Sequence, residues 1–225
     1  MIRVGVLASG SGSNLQALLD AARDGRIDGR VATVICNVPG ARALERARVA
    51  GVPSEILPSK GVTDREAYDR EVVARLRAAE VDLVCLAGWM RIVTPAFLAA
   101  FGPTAASRGC PRVMNVHPAL LPSFPGLHAQ RQALDYGVRF SGCTIHFVDA
   151  GTDTGPIIVQ GAVPVLPGDD EAALAARILV EEHRLYPLAV QWFAEGRLSV
   201  DGRHVAVRDA AAPMLDGVSN PSRDR

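Results

Sequence analysis

The chain carries no excess of charge: 24 Lys and Arg stand against 24 Asp and Glu in 225 residues. A zero balance excludes a global electrostatic grip on nucleic acid or an anionic membrane and leaves only local cationic pockets. No apolar run approaches the ~18–20 residues that cross a bilayer. The first apolar strand starts at Ile2 with no hydrophobic leader and cleavage site before it, so a secretory signal is not expected and the expected location is cytoplasmic. Cysteine is scarce. Cys36, Cys85, Cys110 and Cys143 form no Cys-x-x-Cys pair, and three of them lie in apolar strand-like runs. Free buried thiols in a reducing compartment are the expectation. The histidines, His117, His128, His146, His183 and His204, make no His-x-x-x-His or His-Glu-x-x-His pattern, so no metal site is expected.

What is present is an alternation. Apolar runs at 2–8, 31–36, 54–57 and 81–87 alternate with helical stretches at 13–22, 41–50 and 64–79. In the last of these Ala67, Val72, Leu76 and Ala79 recur near the helical period. The strands are apolar throughout, the signature of a parallel sheet covered on both faces. A short helix at 96–101 precedes an irregular stretch at 102–111, a strand at 112–116, a Pro-rich loop at 118–126 and a helix at 128–136. Segments 143–148 and 157–165 are joined by a loop too short for a helical crossover, which predicts an antiparallel pair. A long helix follows over 171–193, with a bend expected near Pro187. The fold class is α/β: a Rossmann-like, doubly wound, mostly parallel sheet with an antiparallel C-terminal strand pair. One domain is expected over 1–205, with 206–225 as a loose tail rich in Ala, Asp, Ser, Pro and Arg from 210 onward.

Three motifs carry chemistry. Ser9-Gly10-Ser11-Gly12-Ser13-Asn14 follows the first strand and opens the first helix. Helix N-termini offer unpaired N–H groups to anions, and glycines let a phosphate approach. Leu15 stands where a dinucleotide fingerprint needs its third glycine, and no Gly-Lys-Ser/Thr is present, so the loop suggests a single phosphate. A tight capped turn reads from the same residues. The second motif is Asn115-Val116-His117-Pro118, in which Asn115 and His117 alternate onto one strand face. The third is Asp149-Ala150-Gly151-Thr152-Asp153-Thr154-Gly155-Pro156, a loop with two carboxylates that is also ordinary turn chemistry. An amide, an imidazole and a carboxylate at strand ends suit transfer of an activated carbonyl. Gly88-Trp89-Met90-Arg91-Ile92-Val93 lies where ligands bind in open α/β sheets and could line a slot for a flat heterocycle; core packing of Trp89 and Met90 is equally consistent. His128 and His146 read as structural, and Glu181-Glu182-His183 as a solvated helix face.

These segments, with Asp64-Arg65-Glu66-Ala67-Tyr68, Ala87-Gly88-Trp89-Met90-Arg91-Ile92 and Pro125-Gly126-Leu127-His128, occur in an order that resembles the phosphoribosylglycinamide formyltransferases, folate-dependent enzymes of purine biosynthesis. The resemblance runs from about residue 2 to about residue 200. It implies the formyltransferase fold, with 10-formyltetrahydrofolate as co-substrate and no metal. Gly12, Ser13 and Asn14 would hold the phosphate of glycinamide ribonucleotide, with Pro118 beside that substrate and Glu182 at its ribose. Arg65, Met90, Arg91, Ile92 and Val93 would receive the folate, and Asp149, Ala150, Gly151, Thr152 and Asp153 would close over the pterin, with Asn115 also against it. Asn115, His117 and Asp153 would be catalytic: Asn115 and a protonated His117 donating to an oxyanion, Asp153 favouring the imidazolium. The implied partners are those two small molecules, with no nucleic acid and no membrane, and the chain a monomer or homodimer. A transferase acting on methionyl-tRNA would carry a basic RNA-binding domain, a formyltetrahydrofolate hydrolase an N-terminal regulatory domain, and an NAD module an acidic residue near position 36.

Overall fold

A computed structural model describes residues 1–209. The elements are β1 (Ile2–Ala8), α1 (Ser13–Arg23), β2 (Gly29–Cys36), α2 (Arg42–Val49), β3 (Ser54–Ile56), α3 (Arg65–Ala78), β4 (Leu83–Leu86), α4 (Pro95–Ala100), β5 (Val113–His117), α5 (Ala129–Tyr136), β6 (Phe140–Phe147), β7 (Ile157–Pro164), α6 (Glu171–Ala194), β8 (Leu198–Asp201) and β9 (His204–Val207). Local chemistry sets several of their boundaries. The side chains of Asp64, Thr94 and Asp170 accept from the backbone N–H three residues on and so start α3, α4 and α6.

Among the described residues, the nine strands form one sheet in the order β3-β2-β1-β4-β5-β6-β7-β9-β8. The first five are parallel. Because the chain runs outward from β1 in both directions, a crevice opens beyond the carboxyl ends of β1 and β4. β6 is antiparallel to β5, and β7 to β6, as their short connection requires.

One sheet face packs Val6, Cys85, Met114 and Ile145 against Leu15, Leu18, Ile178 and Leu185 of α1 and α6. The other packs Leu7, Val84, Leu86 and Val113 against Val72, Leu76 and Phe97 of α3 and α4. Among the strands, this second cluster reaches no further than Val113 on β5. The next residues of β5 on that face are Asn115 and His117, and their antiparallel partners on β6 are His146 and Thr144. Cross-strand partners share a face. The fold thus leaves a polar strip of sheet that loops, not helices, must cover.

β8 and β9 form a hairpin that joins the sheet at β7. Residues 210–225 of the expected tail lie outside the described residues. Helix α6 runs through Pro187 as one element of 24 residues. The 102–111 stretch is held by its own turn, where Ser107 Oγ accepts from Thr104 N at 2.9 Å and donates to Cys110 O at 2.7 Å. Among the described residues, no helix is long and apolar enough to cross a membrane.

Candidate active site

The polar strip on β5 and β6 draws two loops onto itself. The loop after β5 is pinned by Thr144, whose Oγ1 donates to Ala119 O at 2.7 Å and accepts from Leu121 N at 3.0 Å. It then brings Phe124 O to 2.8 Å from Nε2 of the buried His117. The loop between β6 and β7 is shaped by Asp149, whose Oδ1 accepts from Gly151 N and Thr154 Oγ1. A Cβ at Gly155 would overlap the Phe147 carbonyl, so this return needs glycine. Asp153, at φ +54°, is carried back over the sheet. Its Oδ2 lies 3.3 Å from His117 Nδ1 and accepts from Gly126 N at 2.8 Å, and its Oδ1 lies 3.5 Å from Asn115 Nδ2. Asn115, His117 and Asp153 therefore meet.

Around His117 both neighbours are acceptors, a carbonyl and a carboxylate. Each ring nitrogen therefore faces a group able to accept an N–H. The pairing is enclosed, with the His117 and Asp153 side chains 5% and 13% exposed, so solvent screens it little.

Beside these residues lies a cleft of about 640 Å³, lined among others by Met90, Arg91, Ile92, Pro118, Leu127 and Thr152. A smaller recess of about 90 Å³ continues between Trp89, Val93, His146, Asp149 and Gly151. Ala150 lines neither. Met90, Ile92 and Leu127 are more than half exposed, an apolar lining with no protein cover. Arg91 stacks over the Tyr68 ring at 4.3 Å, and Arg65 donates to Ile92 O at 2.7 Å, so α3 steadies this lining. Trp89 is buried and stacked on Tyr68, yet its Nε1 and the Nε of Arg91 have no partner. Among the described residues, no group of His, Cys, Asp and Glu is arranged to hold a metal ion.

The turn from β1 to α1 forms a second cluster, and none of its residues lines the cleft. Gly12 caps α1 at φ +69°, with an added Cβ only 2.7 Å from Ala43 Cα, so glycine alone fits. Asn14 Nδ2 donates to Glu182 Oε2 at 2.7 Å, which joins residues 168 positions apart. Burial holds the Glu182 carboxyl above the ordinary glutamate value, and the Asn14 bond partly offsets this. Asn14 Oδ1 is buried without a partner. Ser13 is half-buried at the first turn of α1.

Two contributors escaped the sequence reading. Tyr68 supports the cleft lining from α3. His146, expected to be structural, sits 3.2 Å from Asn115 Nδ2. A signal for it existed: Thr144 and His146 alternate within an apolar strand, as Asn115 and His117 do.

Residues 2–190 match the formyl transferase family. The phosphoribosylglycinamide formyltransferase of Escherichia coli (strain K12) is 45% identical over 195 residues, covering 87% of this chain and 88% of its own. The trifunctional purine biosynthetic protein adenosine-3 of Drosophila melanogaster is 51% identical over 196 residues, and the chain spans 14% of its length. The structure of glycinamide ribonucleotide transformylase 1 from Symbiobacterium toebii superposes with a TM-score of 0.87 at 56% identity, covering 92% of this chain and 94% of that one. With its doubly wound sheet, its polar strip and these likenesses, the chain belongs to the formyl transferase family, among the phosphoribosylglycinamide formyltransferases.

Proposed function

We propose that the chain transfers the formyl group of 10-formyltetrahydrofolate to the amine of glycinamide ribonucleotide, a step of de novo purine biosynthesis. The observation that carries this reading is the convergence of Asn115, His117 and Asp153 beside a cleft of about 640 Å³. That volume is in the range that binds small ligands, ~300–1,000 Å³. Its exposed apolar lining of Met90, Ile92 and Leu127 suits a folate. Arg65, Met90, Arg91, Ile92 and Val93 would receive the folate, with the loop from Asp149 to Asp153 over its pterin. Gly12, Ser13 and Asn14 would hold the ribonucleotide phosphate, Glu182 its ribose and Pro118 its amine end. The working unit is a monomer or homodimer in the cytoplasm.

The folate supplies an electrophilic formyl carbon. As the amine nitrogen bonds to that carbon, the carbonyl oxygen takes the displaced electron pair, and Asn115 donates an N–H to it. His117 donates too once its Nε2–H exchanges Phe124 O for the substrate oxygen. Asp153 keeps the other His117 nitrogen in place and accepts from Gly126, which couples the ring to the loop above it. Collapse returns the pair to carbon and breaks its bond to the folate nitrogen, which gains a proton while the amine loses one.

A steady-state assay with both substrates, following loss of the formyl-folate absorbance, tests the reading. Turnover that requires glycinamide ribonucleotide and saturates with it is expected. Equal turnover without the ribonucleotide would make the chain a hydrolase, and none from folded protein would overturn the proposal.

A further inference from the structure

His146 is 2% exposed; it borders the smaller recess, and its ring Nε2 lies 3.2 Å from Asn115 Nδ2 and 3.7 Å from Asp153 Oδ1. Its Nδ1 lies 2.8 Å from the Phe147 carbonyl, which can only accept, so Nδ1 carries the proton. The other nitrogen then presents a lone pair. Asn115 Nδ2 lies 3.2 Å from that Nε2 and donates to it. Burial resists a second proton on this ring and the neighbouring His117 adds to that, while the Phe147 carbonyl and the carboxylates of Asp153 and Asp149 only partly oppose it.

This bond decides something the sequence leaves open, the direction of the Asn115 amide. If the amide turned over, its oxygen would face the Nε2 lone pair of His146 and the Oδ1 of Asp153, two contacts between acceptors. The observed arrangement instead commits one N–H to His146. The same Nδ2 lies 3.5 Å from Asp153 Oδ1, at the limit of a hydrogen bond, so its second N–H is only weakly engaged. That second N–H is the donor free to move onto a substrate oxygen.

We infer that His146 is a positioning residue: as the Nδ1–H tautomer it accepts one N–H of Asn115, fixes the amide and presents the other N–H to the oxygen that gains charge. The inference rests on Asn115 acting as the oxyanion donor proposed above. It differs from a packing role, because a packing role needs the ring's volume and not its lone pair.

Paired variants separate the two. His146→Gln keeps an acceptor near the Nε2 position, whereas His146→Leu removes it. Misplacing a catalytic group by about 1 Å costs roughly 100-fold. His146→Leu is therefore expected to lower kcat by about 10- to 100-fold with both KM values within about twofold, and His146→Gln to stay within about threefold of the parent. In an Asn115→Ala background, His146→Leu is expected to cost nothing further, since the group it positions is gone. Parental kcat in His146→Leu, equal losses in the Leu and Gln variants, or a full additive loss in the double variant would each overturn the inference. Should Asn115→Ala itself turn over normally, the oxyanion role fails first and this inference with it. Should His146→Leu not fold, ¹⁵N imidazole spectra of the unaltered protein decide instead: an unprotonated Nε2 coupled to the Asn115 N–H supports the assignment, and a protonated Nε2 overturns it.

Discussion

Asn115 has two N–H groups and three acceptors competing for them: His146 Nε2, Asp153 Oδ1 and the substrate oxygen. Removing a preorganised donor of this kind typically costs ~10²–10³ in turnover, roughly 3–4 kcal/mol. Asn115→Ala is expected to lose that much in kcat while its thermal melt stays cooperative, and an unchanged kcat would remove Asn115 from the mechanism. Glu182 yields a prediction in pH. Burial raises its folded-state value above the ordinary 4.5, so the folded chain holds the proton more tightly than the unfolded one. The stability this group contributes is present below about pH 4.5 and is lost as pH rises through the raised value. Glu182→Gln abolishes that loss and offers an N–H to the unpartnered Asn14 Oδ1. Its Tm is expected to exceed the parent's at pH 7, by about 2–4 °C per kcal/mol relieved, with most of that gap closing near pH 4, while KM for the ribonucleotide rises. An identical gap at both pH values would contradict the linkage. At this scale Asn115 and His117 were legible because strand alternation puts them on one face whatever the fold. His146 was not, because a lone histidine in an apolar strand acquires its meaning from the register that sets it opposite Asn115.

The turn between β1 and α1 shows how an element reaches function through one backbone angle. Gly12 sits at φ +69°, and a methyl group there would press on α2 at Ala43. Gly12→Ala is expected to destabilise the chain by ~1–3 kcal/mol, through left-handed strain and overpacking, and to raise KM for the ribonucleotide more than it lowers kcat. Denaturant midpoints and initial rates check the two parts separately. The principal helices and parallel strands were legible because Gly, Pro and capping residues punctuate apolar runs. The β8–β9 hairpin went unread although Asp201-Gly202 between alternating residues is a hairpin signal. Its four-residue strands bury little by themselves, and Leu198, Val205 and Val207 become buried only in the context of the whole sheet. The loops over the site were harder still. Phe124, His128 and Asp153 all adopt positive φ, and none is a residue type whose presence alone announces it.

For the whole molecule, an apolar parallel core was the most legible property, since strands buried on both faces must be apolar throughout. What the strand runs could not reveal is where helical cover stops, and that edge is what exposes the polar strip. The same burial governs the cysteines. Cys36, Cys85, Cys110 and Cys143 are free and at most 1% exposed, and burial raises the pKa of each, that of Cys85 to about 12. Alkylation needs both access and thiolate, and the folded chain withholds both. Each sulfur is therefore a clock that starts when its own strand or turn opens. Timed alkylation followed by peptide mass spectrometry is expected to tag Cys110, in the irregular 102–111 stretch, first. Cys85, in β4 between β1 and β5, should be tagged last, at the rate of global unfolding. The native chain thus carries unlabelled probes of its own breathing, spaced across the sheet that holds the reaction.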